Sequence, residues 1–103
     1  MINKEPYIRR QLKLDKEQDV YVDIFCPIEE PGTDGHYSCA YCINGLSKTL
    51  ASFGMGIDAV QALYITLQLI GNRLSSTEEF KSGRLTWVGS IDGKDLGFPT
   101  ASG

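Results

Sequence analysis

Hydrophobic and polar residues alternate along the first half of the chain, and then the period changes. From Tyr7 to Leu14, Ile8, Leu12 and Leu14 fall on one side, with Arg10 interrupting them. Tyr7, Arg9, Gln11 and Lys13 fall on the other. Period two over this length predicts a half-buried strand. Asp15 to Asp19 reads as a polar turn. Val20 to Ile28 predicts a second strand, with Val20, Val22, Ile24, Cys26 and Ile28 on one face and Tyr21, Asp23 and Phe25 on the other. Pro27 lacks an amide donor, so the end of this strand should lie on an edge or at a bulge. Pro31-Gly32 and Asp34-Gly35 mark an exposed loop. A third strand, from about His36 to Ile43, puts Tyr37, Cys39, Tyr41 and Ile43 on one face and Ser38, Ala40 and Cys42 on the other. Asn44-Gly45 then predicts a type I′ hairpin into a weaker strand, Leu46 to Phe53.

A helical period replaces the alternation at residue 58. Asp58 followed by Gln61 makes a capping box, in which Gln61 should reach back to the Asp58 amide. Val60, Leu63, Leu67, Ile70 and Leu74 recur at spacings of three and four and predict the buried stripe. Ile65 and Leu69 lie off that stripe. A helix from Asp58 to Leu74 would be about 25 Å long. An eight-residue strand is about 26 Å, so one helix can cover one sheet from end to end. Thr77 to Phe80 predicts a short helical turn, and Arg84 to Gly89 a last strand. Leu96-Gly97-Phe98-Pro99 should pack back on the sheet, with disorder at 100–103. The order β-β-β-β-α-β with short connections predicts an α+β fold: a mainly antiparallel sheet of four or five strands, with one long helix on one face. All 103 residues fit one domain.

Composition leaves this picture intact. With 42% hydrophobic and 22% charged residues, the chain resembles ordinary globular proteins, not disordered ones. A domain of this size buries roughly 60–70% of its unfolded surface and can hold a core without metal or disulfide. The formal charge of −3 argues against a general nucleic-acid binder. No apolar run reaches the roughly 18–20 residues of a membrane span. The start of the chain carries no signal-peptide pattern. Three cysteines form an odd set, which fits reduced thiols and a cytoplasmic location.

Candidate chemistry is sparse. Gly54-x-Gly56-x-x-Ala59 matches a dinucleotide fingerprint, but no parallel βαβ unit surrounds it. Asp58 would also place a carboxylate where phosphate should sit. A sharp strand-to-helix turn is the better account. Cys39-Ala-Tyr-Cys42, with His36 and Cys26 nearby, offers four candidate zinc ligands. On an extended strand, however, Cys39 and Cys42 project to opposite faces, and buried free thiols are the simpler reading. His36, the one histidine, has no triad around it. Seven of the thirteen acidic residues lie between positions 15 and 34. They are Asp15, Glu17, Asp19, Asp23, Glu29, Glu30 and Asp34, and they could face a basic partner. Arg9, Arg10 and Lys13 could pair across strands with Asp23.

Gly56-Ile-Asp58-Ala-Val-Gln61-Ala-Leu63, Leu67, Ile70-Gly71, Arg84-Leu85-x-Trp87-x-Gly89 and Asp95-Leu96-Gly97-Phe98-Pro99 resemble a family of small bacterial proteins known as a domain of unknown function. The resemblance covers about the C-terminal half. It implies a compact cytosolic bacterial domain and carries over no catalytic residue.

One helix can cover only one sheet face. We therefore expect Tyr21, Asp23, Phe25, Tyr37 and Tyr41 to form a binding surface on the open face, unless Phe98 and the tail fold over it. The expected function is non-enzymatic protein binding of the immunity or inhibitor type. The partner would be another, basic, protein, or a second copy would dock through the open face; no cofactor is expected. Two alternatives remain. One is a zinc or thiol protein using Cys26, His36, Cys39 and Cys42. The other is a small-molecule site between helix and sheet, edged by Tyr64, Trp87 and Asp58.

Overall fold

The structure, a computed structural model, describes residues 5–99. The expected tail at 100–103 lies outside them. The chain folds into strands β1 (Ile8–Leu14), β2 (Gln18–Ile24), β3 (Ile28–Glu29), β4 (Tyr37–Asn44) and β5 (Leu50–Gly56). Helices α1 (Ala59–Ser75) and α2 (Glu78–Lys81) follow, and then strand β6 (Leu85–Thr86). All pairings are antiparallel. β5, β4, β2 and β1 form a meander, β6 returns to the far side of β1, and β3 extends the line of β2 along β4. The expected α+β architecture is present, with six strands, two of them only two residues long.

Alternation decides which side chains enter the core. Leu12, Leu14, Val20, Val22, Ile24, Cys39, Tyr41 and Ile43 are buried on one sheet face, against Ala62, Ile70 and Leu74 of α1. Asp58 caps α1 by accepting from the Gln61 amide at 2.8 Å. The other half of the box differs from expectation: Gln61 Oε1 accepts from the Ile57 amide, not that of Asp58.

The buried stripe of the helix is also rotated. Ala62, Thr66 and Ile70 face the sheet, whereas Val60, expected there, is 77% exposed. The cause is in β5. A Cβ on Gly56 would lie 2.5 Å from the Ala62 nitrogen, and one on Gly54 would lie 2.6 Å from Thr66 Oγ1. The two glycines therefore sit inside the strand and let the helix backbone approach it. They do not form a strand-to-helix turn. Thr66 Oγ1 accepts from the Gly54 amide at 3.1 Å and donates to the Cys39 carbonyl at 2.8 Å, joining helix, β4 and β5.

Two further boundaries move for physical reasons. The strand expected over Val20–Ile28 stops at Ile24. Ile24 faces Tyr41, but Ile28 faces Ser38. One extra residue has therefore entered between them, as the proline at 27 foreshadows. This slip turns Ile28 to the opposite sheet face and leaves Cys26 exposed. The Asn44-Gly45 hairpin is wider than two residues, since Ile43 pairs with Leu50. Gly45, at φ +112°, instead allows a close approach to β2: a Cβ there would lie 2.7 Å from the Asp19 carbonyl oxygen.

The rest of the second layer is the C-terminal segment. Leu96 is buried in the core. Arg10, the residue that breaks the alternation of β1, donates to the carbonyls of Leu96 at 3.2 Å and Gly97 at 2.8 Å. Its guanidinium lies 4.2 Å from the Trp87 ring and 4.7 Å from that of Phe98. Burial lowers its pKa from the usual arginine value, with Asp95 opposing. Phe98 thus packs on the helix side and does not cover the other face. No described helix is long and apolar enough to cross a membrane.

Candidate interaction face of the sheet

The sheet face away from α1 is built from the odd residues of β1 and β2 and the even residues of β4. Register sorts them into rows. Arg9 faces Asp23, and Asp23 faces Cys42, which faces Ala51. The Phe25 amide donates to the Ala40 carbonyl at 2.9 Å, and Ala40 faces Phe53. Ile28 faces Ser38, which faces Met55.

The half of this face over β1 and β2 is polar and internally paired. Arg9 donates twice to Asp23, at 2.6 and 3.1 Å, and stacks 4.4 Å from the Tyr21 ring. This pairing lets Asp23 be only 6% exposed, because a buried carboxylate needs a partner. The hydrogen bond from Arg9 to Asp23 in turn raises the arginine pKa. Asp19 accepts from Lys13 at 2.5 Å and Gln11 at 2.6 Å, and these two contacts hold its carboxyl below the usual range.

The half over β4 and β5 is different. Small residues of β4, Ser38 and Ala40, form a floor. Phe53 and Met55 stand on one side and Ile28 on the other, and the three are 55%, 39% and 46% exposed. With Glu30 and Thr33 they enclose a trough of about 540 Å³. Ser38 Oγ donates to Glu30 Oε2 and so fixes the carboxylate at the trough wall.

Of the five residues expected on the open face, Tyr21, Asp23 and Phe25 are there. Tyr37 and Tyr41 are not. They share the odd parity of Cys39 and Ile43, so they join the helix-side core, Tyr41 at 2% exposed and Tyr37 partly buried. Ile28, Phe53 and Met55 were missed. The signal was present in Phe53-Gly54-Met55-Gly56, where glycines alternate with large apolar residues. The helix can only pack on the glycine side, so the large side chains must face away.

The four candidate zinc ligands do not converge. Cys39 is in the core, its thiol raised in pKa by burial and donating to the Phe25 carbonyl at 3.3 Å. Cys42 lies on the open face, Cys26 is exposed, and the His36 ring contacts the Thr33 carbonyl. Among the described residues, no group of three His, Cys, Asp or Glu side chains could hold a metal ion.

The pocket expected between Tyr64, Trp87 and Asp58 is also absent among the described cavities. Gly89 and Gly97 lie close against the Trp87 ring. A different cleft, about 350 Å³, opens between α1 and the C-terminal segment. It is lined by Ile8, Arg10, Ile24, Leu67, Phe98 and Pro99 among others.

Of the seven clustered acidic residues, three are matched by bases. They are Asp15 with Arg84, Asp19 with Lys13 and Asp23 with Arg9. Of the other four, Glu17 lies in the turn between β1 and β2, and Glu29, Glu30 and Asp34 lie around the loop at the trough end.

The chain belongs to the family described as Domain of unknown function (DUF6968), whose model matches residues 8–100. The match extends well beyond the C-terminal half that carried the resemblance. No curated protein and no solved structure matches the chain.

Proposed function

We propose that this family member is a non-enzymatic protein-binding module that docks a basic partner on the sheet face away from α1, in the manner of an immunity or inhibitor protein. The observation that carries the reading is the trough. Three large apolar side chains stand over a floor of small residues on a face that no described element covers. Exposed apolar surface with a polar rim is the usual signature of a protein contact. Glu30 at its wall and Glu29 and Asp34 nearby favour a partner that presents an apolar side chain beside Lys or Arg. The resemblance and the odd number of cysteines support a bacterial cytoplasm as the setting.

Ala40→Arg tests the reading, because it fills the trough from its floor without touching the core. Tagged wild-type protein should capture a basic protein from its native host. The folded Ala40→Arg variant should lose that protein, and Glu17→Lys, on the distant hairpin, should keep it. Equal capture by all three would overturn the proposal.

One observation favours a second reading, a small-molecule site between helix and sheet. Arg10 places a partly buried cation at the wall of the 350 Å³ cleft, where an anionic ligand would gain from low dielectric. A panel of small carboxylates and phosphates should then raise the melting temperature of the wild type and not that of Leu67→Trp.

A further inference from the structure

We infer that β5 is a self-pairing edge, on which a second copy of this chain adds its own β5 antiparallel to make one continuous sheet. β5 pairs with β4 and with no other strand among the described residues. Natural edge strands are usually short or carry a charge, a proline or a bulge that prevents pairing. The seven residues Leu-Ala-Ser-Phe-Gly-Met-Gly have none of these.

The direction of the free backbone groups follows from Thr66. Its hydroxyl bridges the Gly54 amide and the Cys39 carbonyl, so Gly54 turns toward β4. Alternate residues of an antiparallel strand turn the other way. Ala51, Phe53 and Met55 therefore present their amides and carbonyls outward.

A two-fold axis at Phe53 uses all three residues at once. Ala51 then faces Met55 of the second copy, Phe53 faces its own mate, and Met55 faces Ala51. Side chains match on both faces. On the open face, large Met55 meets small Ala51 and the two phenylalanines meet each other. On the helix face, Leu50 meets Gly56 and Ser52 meets Gly54. The antiparallel arrangement also brings the end of β5 next to Lys48 in each copy toward the end next to Asp58 in the other. Neither Lys48 nor Asp58 is in an ion pair among the described residues. This charge complementarity selects a second copy over an unrelated strand.

The helix adds apolar surface to the same edge. Leu67 faces the C-terminal segment across the cleft, and Ile65 and Leu69 lie on the opposite flank of the buried stripe. That flank is the β5 edge, where a Gly54 Cβ would lie 3.1 Å from Ile65 Cγ2. The two-fold contact closes on itself and stops at two copies. It sets the two β4 strands about 14 Å apart, so both troughs open on one surface. The inference stands independently of what the trough binds.

Sedimentation or light scattering on the full chain should give twice the chain mass. Phe53→Lys and Phe53→Glu, each checked for native circular dichroism, should each give a monomer, and their equimolar mixture should recover the dimer. Lys48→Glu should weaken the dimer at least several-fold, and Ala40→Arg should leave it intact. A wild-type monomer at the highest concentration reached would overturn the inference. So would larger assemblies, a dimer that survives Phe53→Lys, or one lost in Ala40→Arg, which would put the contact on the trough face.

Discussion

Thr66 is the residue on which the two layers depend most. Its hydroxyl is fully buried and satisfies one amide and one carbonyl of neighbouring strands. Thr66→Val keeps the shape and strands both backbone groups, which should cost about 1–3 kcal/mol. Urea denaturation reads this directly, and an unchanged midpoint would show that the ladder closes without the hydroxyl. Gly56→Ala should cost a similar ~1–3 kcal/mol by overpacking against Ala62. Neither role can be read from composition. Glycines before a helix look like a turn or a phosphate loop until the partner face of the strand is known. Asp58 was legible because an N-cap is a local device, decided within four residues. Tyr37 and Tyr41 were harder. Parity shows that they share a face with Cys39 and Ile43, but only the register with β2 shows that this face is the core. The thiols divide in the same way: Cys26 should react at once with a thiol reagent, and Cys39, buried and raised in pKa, only when the chain unfolds. Prompt reaction of all three would contradict the strand register.

At the scale of elements, α1 covers β4 and β5, while the segment from Trp87 to Pro99 packs over β1 and the end of β2. Arg10 is the link, holding Leu96 and Gly97 from the middle of β1. Gly71 of α1 is the matching contact, since a Cβ there would lie 2.2 Å from the Pro99 carbonyl oxygen. Arg10→Ala or Gly71→Ala should therefore release the C-terminal segment. Limited proteolysis would then cut between Gly89 and Gly97 at least several-fold faster, with the meander still protected. Equal rates in both variants and wild type would mean that the segment is held by Leu96 alone. The sequence showed an arginine breaking an apolar face but not its purpose, because its partners lie 86 and 87 residues away. The shift of Ile28 to the open face had a visible cause in Pro27, but the size of the slip depends on pairing with β4. The existence of the long helix and of the first two strands was legible, since their periods are strong and local. The end of the second strand and the buried face of the helix were instead set by the register with β4 and by the glycines of β5.

At the scale of the molecule, one sheet carries a covered face and an open one, and the two halves of the open face differ in kind. The polar half is tied by ion pairs to the ends of β1 and β2. Arg84 and Lys13 hold the carboxyls of Asp15 and Asp19 below their usual range. A lowered carboxyl pKa gives stability that is present above the unfolded value, near 4, and is lost as pH falls through the folded value. The urea midpoint should thus decline below about pH 4, and Asp15→Asn with Asp19→Asn should flatten that decline. These pairs are exposed, so high salt should reduce the effect. A midpoint independent of acid would contradict the pairing. Among the described residues the apolar half has no such ion pairs, and its docking of another protein is the proposal to be tested. The most direct test places a photo-crosslinking residue at Ile28, on the trough wall, and separately at Tyr64, exposed on the helix. In the native host, docking at the trough should give crosslinks to a basic protein from position 28 and none to it from position 64. The same protein crosslinked from position 64 and not from 28 would contradict it.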